Sequence, residues 1–487
     1  MKLTIQYFFV ITGWLVFAVC TGGCSKKQAT GVIPPPSNPV VPTDPVPTDV
    51  VFWLTRADGL ALFQKQNTSL LFTGTANSNQ SITVDSTQRY QTIDGFGCAL
   101  TGGSAYLIGK LPEAAKDALL RELFATDSSF IGISYLRVSM GASDLSARVF
   151  SYDDIPAGQS DTGMANFSLA DDLTDLVPLL KKIFVLNPHI KILGSPWSAP
   201  IWMKTNNNSI GGSLKPELYG AYAQYFVKYI QTMKSLGIRI DAITTQNEPL
   251  NPYNNPSMVM QAPEQAEFIK NHLGPAFEAA GIDTKIILNE NNPDIPDYPI
   301  SILDDPDARK YTDGSAFHLY GGDISGLSVV HNAYPDKNIY FTEQWVGAPG
   351  DFSAYLNSHV KYLIVGATRN WSKNVLEWNL ASDPSYNPHT PGGCNTCLGA
   401  LTIGNTITRN VGYYIMAHAA KFVLPGSVRI ASTMSATLPN VAFKTPSGKK
   451  VLIVLNDSPL TQTFTINYND RFVSPVLAAG AVGTFIW

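Results

Sequence analysis

The chain has 487 residues, 45% of them hydrophobic, which is too long for one small domain and sufficient for a large core. A formal net charge of −4, with only 15% charged residues, leaves no basic face for nucleic acid and no acidic tail. The 8 Trp and 21 Tyr exceed what packing alone requires, and flat apolar faces with polar tips suit sugar rings.

At the N-terminus Lys2 precedes an apolar stretch at 7–19 that is too short to span a bilayer and fits the middle of a secretory signal. Gly22 and Gly23 then precede Cys24, so residues 1–24 are similar to a bacterial lipoprotein signal with Cys24 as the lipidated residue. Thr21 stands where that signal usually has Leu, and Cys20 is a competing site. The expected location is the cell envelope, at the outer membrane, reached through the lipid alone. Residues 25–48 are proline-rich and read as an extended tether, reaching up to roughly 75 Å at about 3.1 Å per residue.

Residues 49–89 hold strand-like segments and 90–423 alternate short apolar runs with amphipathic stretches. Strands are predicted at 93–97, 135–139, 190–195, 242–246, 285–289, 315–320, 339–343 and 375–379. Helices are predicted at 112–125, 169–186, 216–236, 263–280, 352–367 and 408–423, with Pro112, Pro216 and Pro263 in first turns. The helices after strands five and six are poorly marked. This repetition predicts an α/β fold, a (β/α)8 TIM barrel with its site at the C-terminal strand ends. A doubly wound open sheet is the alternative. It should bring a dinucleotide loop or a nucleophile elbow, yet the Gly-rich 94–103 fits the first only superficially and no G-x-S-x-G occurs. From 424 to 487 residues alternate as in an antiparallel sheet, so 49–89 and 424–487 are expected to form one attached β-sandwich. The Cys394 and Cys397 pair can close a small disulfide loop; a single C-x-x-C does not make a structural metal site, and none is expected.

The peptide Thr245, Gln246, Asn247, Glu248, Pro249 puts a carboxylate at the end of the fourth strand, and Glu343 ends the seventh in the same way. Two acids converging on one cleft suit glycosidic bond cleavage. The third strand runs into Ser195, Pro196 and Trp197, the sixth into His318 and Tyr320, and the eighth into Trp378 and Asn379. Their repeated placement at one mouth points to a sugar site rather than to core packing alone.

Together these peptides resemble glycoside hydrolase family 30. The resemblance is carried by IDGFGCALTGGSA, YLRVSMGASDLS, LGSPWSAPIWMKTN, TTQNEP, FTEQWVG and VLEWNLA, and covers nearly all of 93–487. It implies that Glu248 is the acid/base and Glu343 the nucleophile of a retaining double displacement, with carboxyls about 5 to 5.5 Å apart and no cofactor. It implies further that Asn247 holds the sugar 2-OH, that Arg137 and Tyr320 bond Glu343, and that Trp378 is a sugar platform. Asp144 and Trp197 would contact distal hydroxyls, with His318, Trp345 and Asn379 also lining the sugar site; Arg137 and Asp144 pairing across a loop is the structural alternative. Glu248 is expected to have a raised pKa, from limited solvent and the nearby Glu343.

Gln344, Trp345 and GGCNTCLGALTI at 392–403 look like the branch that includes β-1,6-glucanases, and Leu319 stands where glucosylceramidases have tryptophan. The expected substrate is β-1,6-glucan of the pustulan type or from fungal walls, cut in an endo fashion. The alternatives are a glucosylceramidase or exo-β-glucosidase, then a xylanase, then a surface glycan-binding lipoprotein without activity.

Overall fold

The computed structural model describes residues 46–127 and 130–487; the signal, Cys24 and most of the 25–48 tether lie outside the described residues. Eight parallel strands close into a barrel: Gly95–Ala99, Tyr135–Ser139, Lys191–Ser195, Ala242–Thr244, Lys285–Asn291, Thr312–His318, Asn338–Glu343 and Ser372–Asn379. All eight expected strands are present in the expected order, with ends shifted by up to three residues. The bore is filled by Tyr135, Leu193, Ala242, Ile287, Ala316, Tyr340 and Leu376, one from each strand but the first. Ala242 and Ala316 leave room for the two tyrosines, so the barrel is a packed rod. The first strand has Gly97 instead; a Cβ there would stand 1.9 Å from the Tyr135 carbonyl oxygen of the neighbouring strand.

The helices differ from expectation where local chemistry interrupts the 3.6-residue period. The predicted helix at 169–186 begins only at Leu176, because Asp172 is drawn inward to accept a hydrogen bond from the Tyr152 hydroxyl, 2.5 Å away. The one predicted at 263–280 is α-helical over Ala262–Phe268, widens to a π-turn at Ile269–Leu273, and resumes at Gly274–Ala280. Pro275 lacks the amide that would close the preceding turn, which accounts for the widening just before it. Pro112 is the N-cap of Glu113–Phe124 rather than inside it. The poorly marked helices after strands five and six are short, at Asp297–Asp304, Pro306–Arg309 and Gly326–Ala333.

The second layer is a sheet in the order Gln64–Lys65, Val51–Thr55, Val482–Ile486, Lys450–Leu455, Asn440–Lys444, Val428–Ser432, Gln80–Thr92, Gln462–Tyr468, Arg471–Val473. The N-terminal strands therefore pair with the C-terminal ones as expected. One contact departs from antiparallel: Gln80–Thr92 runs parallel to Gln462–Tyr468 while pairing antiparallel with Val428–Ser432 at its other end. Its 13 residues let one strand serve two neighbours at different points along its length. Barrel and sheet are joined by the buried His418, whose ring nitrogens lie 2.8 Å from the hydroxyls of Thr55 and Thr484. Burial lowers its pKa to about 3, so the imidazole is neutral and donates to one threonine while accepting from the other.

The rings of Phe52 and Phe485 stack at 4.6 Å within the sandwich core, with Phe485 fully buried. Truncating Phe485 to Ala should cost about 3–5 kcal/mol. In chemical denaturation, Phe52→Ala with Phe485→Ala should lose less than the sum of the single changes, because both remove the same contact.

Candidate active site

Five barrel strands deliver charge to one mouth. Arg137, from the second strand, is fully buried. Its Nη1 donates to Glu343 Oε2 at 2.6 Å, and its Nη2 lies 2.8 Å from Glu290 Oε1 and donates to Asn247 Oδ1. Its guanidinium carbon also sits 4.6 Å over the Trp197 ring. Arg137 thus bonds Glu343 as expected and does not pair with Asp144. The Tyr320 hydroxyl donates to Glu343 Oε1 at 2.8 Å, so both oxygens of that carboxylate are held.

Glu248 follows the fourth strand with φ of 42°, in the left-handed region that non-glycine residues rarely occupy. This conformation is fixed from outside: its amide donates to the Glu290 carbonyl at 3.0 Å, and the Asn247 amide to Pro196 at 2.7 Å. Asn251 and Asn254 donate their side-chain amides to Glu248 Oε2, at 2.8 and 3.0 Å. Between the acids stands His318. Its Nδ1 is 3.5 Å from Glu248 and 3.7 Å from Glu343, and its Nε2 is 3.3 Å from Glu290. One oxygen from each of Glu248 and Glu343 and a ring nitrogen of His318 lie within 4.8 Å of one another.

The electrostatics correct one expectation. Burial does push the Glu248 carboxyl up, but His318 and the Asn251 amide outweigh it, and the group lies below the usual glutamate value rather than above. The same surroundings favour a proton on the imidazole. Burial would lower His318, yet Glu343, Glu248 and Glu290 around it raise it to about 9. Burial also works against ionised Glu290, but Arg137 and His318 bring it down to about 2. By donor type, Glu248, Glu343 and His318 form a conceivable metal set. When protonated, the imidazole has no lone pair to give and itself places a positive charge among the acids.

The remaining expected residues form one wall. Trp197 and Trp378 stack at 5.2 Å, packed with Ala99, Leu145 and Cys397, and Trp345 and Cys394 lie against them. Cys394 and Cys397 are disulfide-bonded. Asp144 is buried beside this loop: its carbonyl accepts from the Thr390 amide at 2.8 Å, and its carboxylate from the Cys394 amide at 3.4 Å. Burial, with Glu343 and Glu248 adding to it, raises Asp144 to about 7. Asn379, expected to face sugar, has its Oδ1 taken by the Ser104 and Thr101 hydroxyls at 2.9 and 3.3 Å, so that end of the amide braces the start of a helix at Gly102–Gly109. His318 likewise sits within the acid cluster rather than forming a sugar wall. Glu290, Asn251 and Asn254 were not expected; Glu290 follows Ile286, Ile287 and Leu288 just as Glu343 follows its own apolar run, a signal open to the same reading. A cavity of about 680 Å³ is lined by residues of 149–160 and 198–218 with Pro256, and none of these acids lines it. The reaction is placed at the acids because charge and strained backbone converge there, not in that cavity.

The glycosyl hydrolase family 30 TIM-barrel domain matches residues 93–423, and the family's β-sandwich domain matches 426–485. The chain is 36% identical to an endo-1,6-β-D-glucanase of Neurospora crassa, over 83% of this chain and 88% of that one. It is 30% identical to the lysosomal acid glucosylceramidase of Mus musculus, over 83% of each. A solved endo-β1,6-glucanase structure superposes with a TM-score of 0.83 at 34% identity, covering 90% of this chain and 99% of that one.

Asp144 gives a pH test. Its folded pKa lies above that of the unfolded chain, so the folded state holds an extra proton between about pH 4 and 7 and loses stability as pH rises through that window. Asp144→Asn should therefore be more stable than the parent at pH 8, by on the order of 2 kcal/mol, with the advantage gone near pH 4. Denaturation midpoints at both pH values check this.

Proposed function

The chain belongs to glycoside hydrolase family 30, and on that footing we propose that it is a retaining endo-β-1,6-glucanase acting on pustulan-type or fungal wall glucan. The observation that carries the reading is the approach of Glu248 and Glu343 to within 4.8 Å at their nearest oxygens. That fits the separation of about 5–5.5 Å used when the second carboxylate is a nucleophile, and leaves no room for the water that needs about 6.5–9.5 Å. The endo-1,6-glucanase relatives support the linkage. Leu319 and the Gln344, Trp345 pair favour it over a sphingolipid substrate.

In this reading Glu343, held by Arg137 and Tyr320, attacks the anomeric carbon while the glycosidic C–O bond breaks. The departing oxygen takes a proton delivered through Glu248, which the His318 imidazolium 3.5 Å away supplies. Water then returns a proton by the same route and attacks the same carbon, and the Glu343 ester is released. Trp378 and Trp197 offer the apolar face and Asp144 the polar end of the sugar subsite, and Asn247, kept in place by Arg137, meets the 2-OH. Wild-type protein should cleave pustulan to short oligosaccharides in preference to laminarin, xylan or glucosylceramide. The first product seen by NMR should keep the β configuration; an α product would refute the double displacement. Glu343→Gln should abolish turnover, and Glu248→Gln should lower it by about 10²–10⁴-fold on substrates with poor leaving groups.

We further propose that residues 1–24 direct export and that Cys24 is lipidated, tethering the enzyme to the cell envelope. The Cys394 and Cys397 disulfide supports folding in an oxidising compartment. Cys24→Ser should stop incorporation of labelled palmitate and move the protein from the membrane to the soluble fraction.

A further inference from the structure

Glu290 is buried without exposure at the end of the fifth strand and takes no part in the reaction as derived above. Its surroundings are nonetheless specific. Oε1 lies 2.8 Å from Arg137 Nη2 and 3.3 Å from His318 Nε2, so a single oxygen meets both cations of the site. Its carbonyl receives the Glu248 amide at 3.0 Å, and its own φ of 66° is as unfavourable as that of Glu248. Two adjacent strand ends are thus held in strained backbone by contact with each other. On its other side His318 points Nδ1 at both Glu248 and Glu343, with no hydrogen bond of its own there.

We propose that Glu290 is a positioning residue for glycosidic cleavage: acting through His318, it keeps the imidazole charged and aimed between Glu248 and Glu343, so that Glu248 and His318 together carry one transferable proton. The proposal rests on the glycosidase reading. When the C–O bond breaks, that proton leaves on the departing oxygen and the pair is one proton poorer; the water that cleaves the Glu343 ester restores it. Facing His318 are the carboxylates of Glu248, Glu290 and Glu343, with the Tyr320 ring at right angles 5.8 Å away. Facing Glu290 are Arg137 and His318. Of the three acids around His318, Glu290 alone is fully excluded from solvent, so its charge is the least screened. The raised pKa of His318 agrees with this arrangement.

If Glu290 were only a counter-ion for Arg137, its loss would weaken the fold without changing where the site gives up its proton. The test is therefore the pH profile on pustulan. In Glu290→Gln the basic limb should move to lower pH by about one to three units, the effect of removing an opposite charge at this range. kcat should fall while KM stays nearly constant, and Glu290→Asp, which keeps the charge, should retain the wild-type limb. NMR of ¹⁵N-labelled histidine, with the His318 signal identified by its loss in His318→Gln, should show an imidazolium at pH 7 in the wild type and a lower titration in Glu290→Gln. An unmoved basic limb, or a neutral His318 at pH 7 in the wild type, overturns the proposal. Should Glu290→Gln fail to fold, the Glu290→Asp profile and the wild-type NMR titration still decide it. A wild type inactive on every glucan sinks the glycosidase reading itself, whereas an active wild type with an unmoved limb sinks only the role of Glu290.

Discussion

Arg137 carries a full charge with no access to water, and the arrangement of the barrel mouth follows from the need to neutralise it. A buried cation is tolerable only when its charge is paired, and removing one partner of such a pair costs about 3–5 kcal/mol. Arg137 meets Glu343, Glu290 and Asn247, which come from the seventh, fifth and fourth strands. Parallel pairing brings all these strand ends to the same side, so one guanidinium fixes side chains far apart in the chain. The surplus of negative charge that remains is met by His318 from the sixth strand. The acids can approach closely because two cations are built in among them.

Much of this was legible in the sequence, and what was not has physical causes. Apolar runs such as 190–195 and 339–343 mark strands because both faces of a parallel sheet are buried and the run is continuous. Glu248 and Glu343 stood out because each follows such a run inside a distinctive peptide. Glu290 follows one too, but its neighbours Asn289, Asn291 and Asn292 read as an ordinary polar turn. The lowered pKa of Glu248 was not legible, since it depends on where His318 points, which is a tertiary fact. The helix at 169–186 misled for a related reason: its first turn is apolar enough, but Asp172 has a better partner in the Tyr152 hydroxyl than in solvent. Pairing of 49–89 with 424–487 was inferred because strand-like segments at both ends lacked other partners; the parallel contact at Gln462–Tyr468 leaves no mark in either strand alone.

The aromatic wall beside the acids, on which Arg137 packs, shows a different economy of parts. Trp197 and Trp378 come from barrel strand ends, whereas Asp144 and Cys394 come from loops and Cys397 from a two-residue strand paired with Val346–Gly347, and loops need their own restraint. Here the disulfide and the Thr390 and Cys394 amides supply it, holding Asp144 by backbone rather than by another charge. Asp144 stays close to neutrality as a result, and is able to donate as well as accept a hydrogen bond near pH 7. One side of the cleft is fixed by charge and the other by covalent closure.

Val51–Thr55 lies between Gln64–Lys65 and Val482–Ile486, about 430 residues further on. During synthesis Val51–Thr55 emerges before any barrel strand has been made, and its principal partner arrives only after all eight. Contacts so distant in sequence close late and slowly, because the loop between them must already be ordered. Until then an apolar strand edge waits uncovered, the feature that attracts chaperones and misassociation in growing chains. Synthesis of Val482–Ile486, rather than of any segment before it, is the event that lets Val51–Thr55 be covered on that edge.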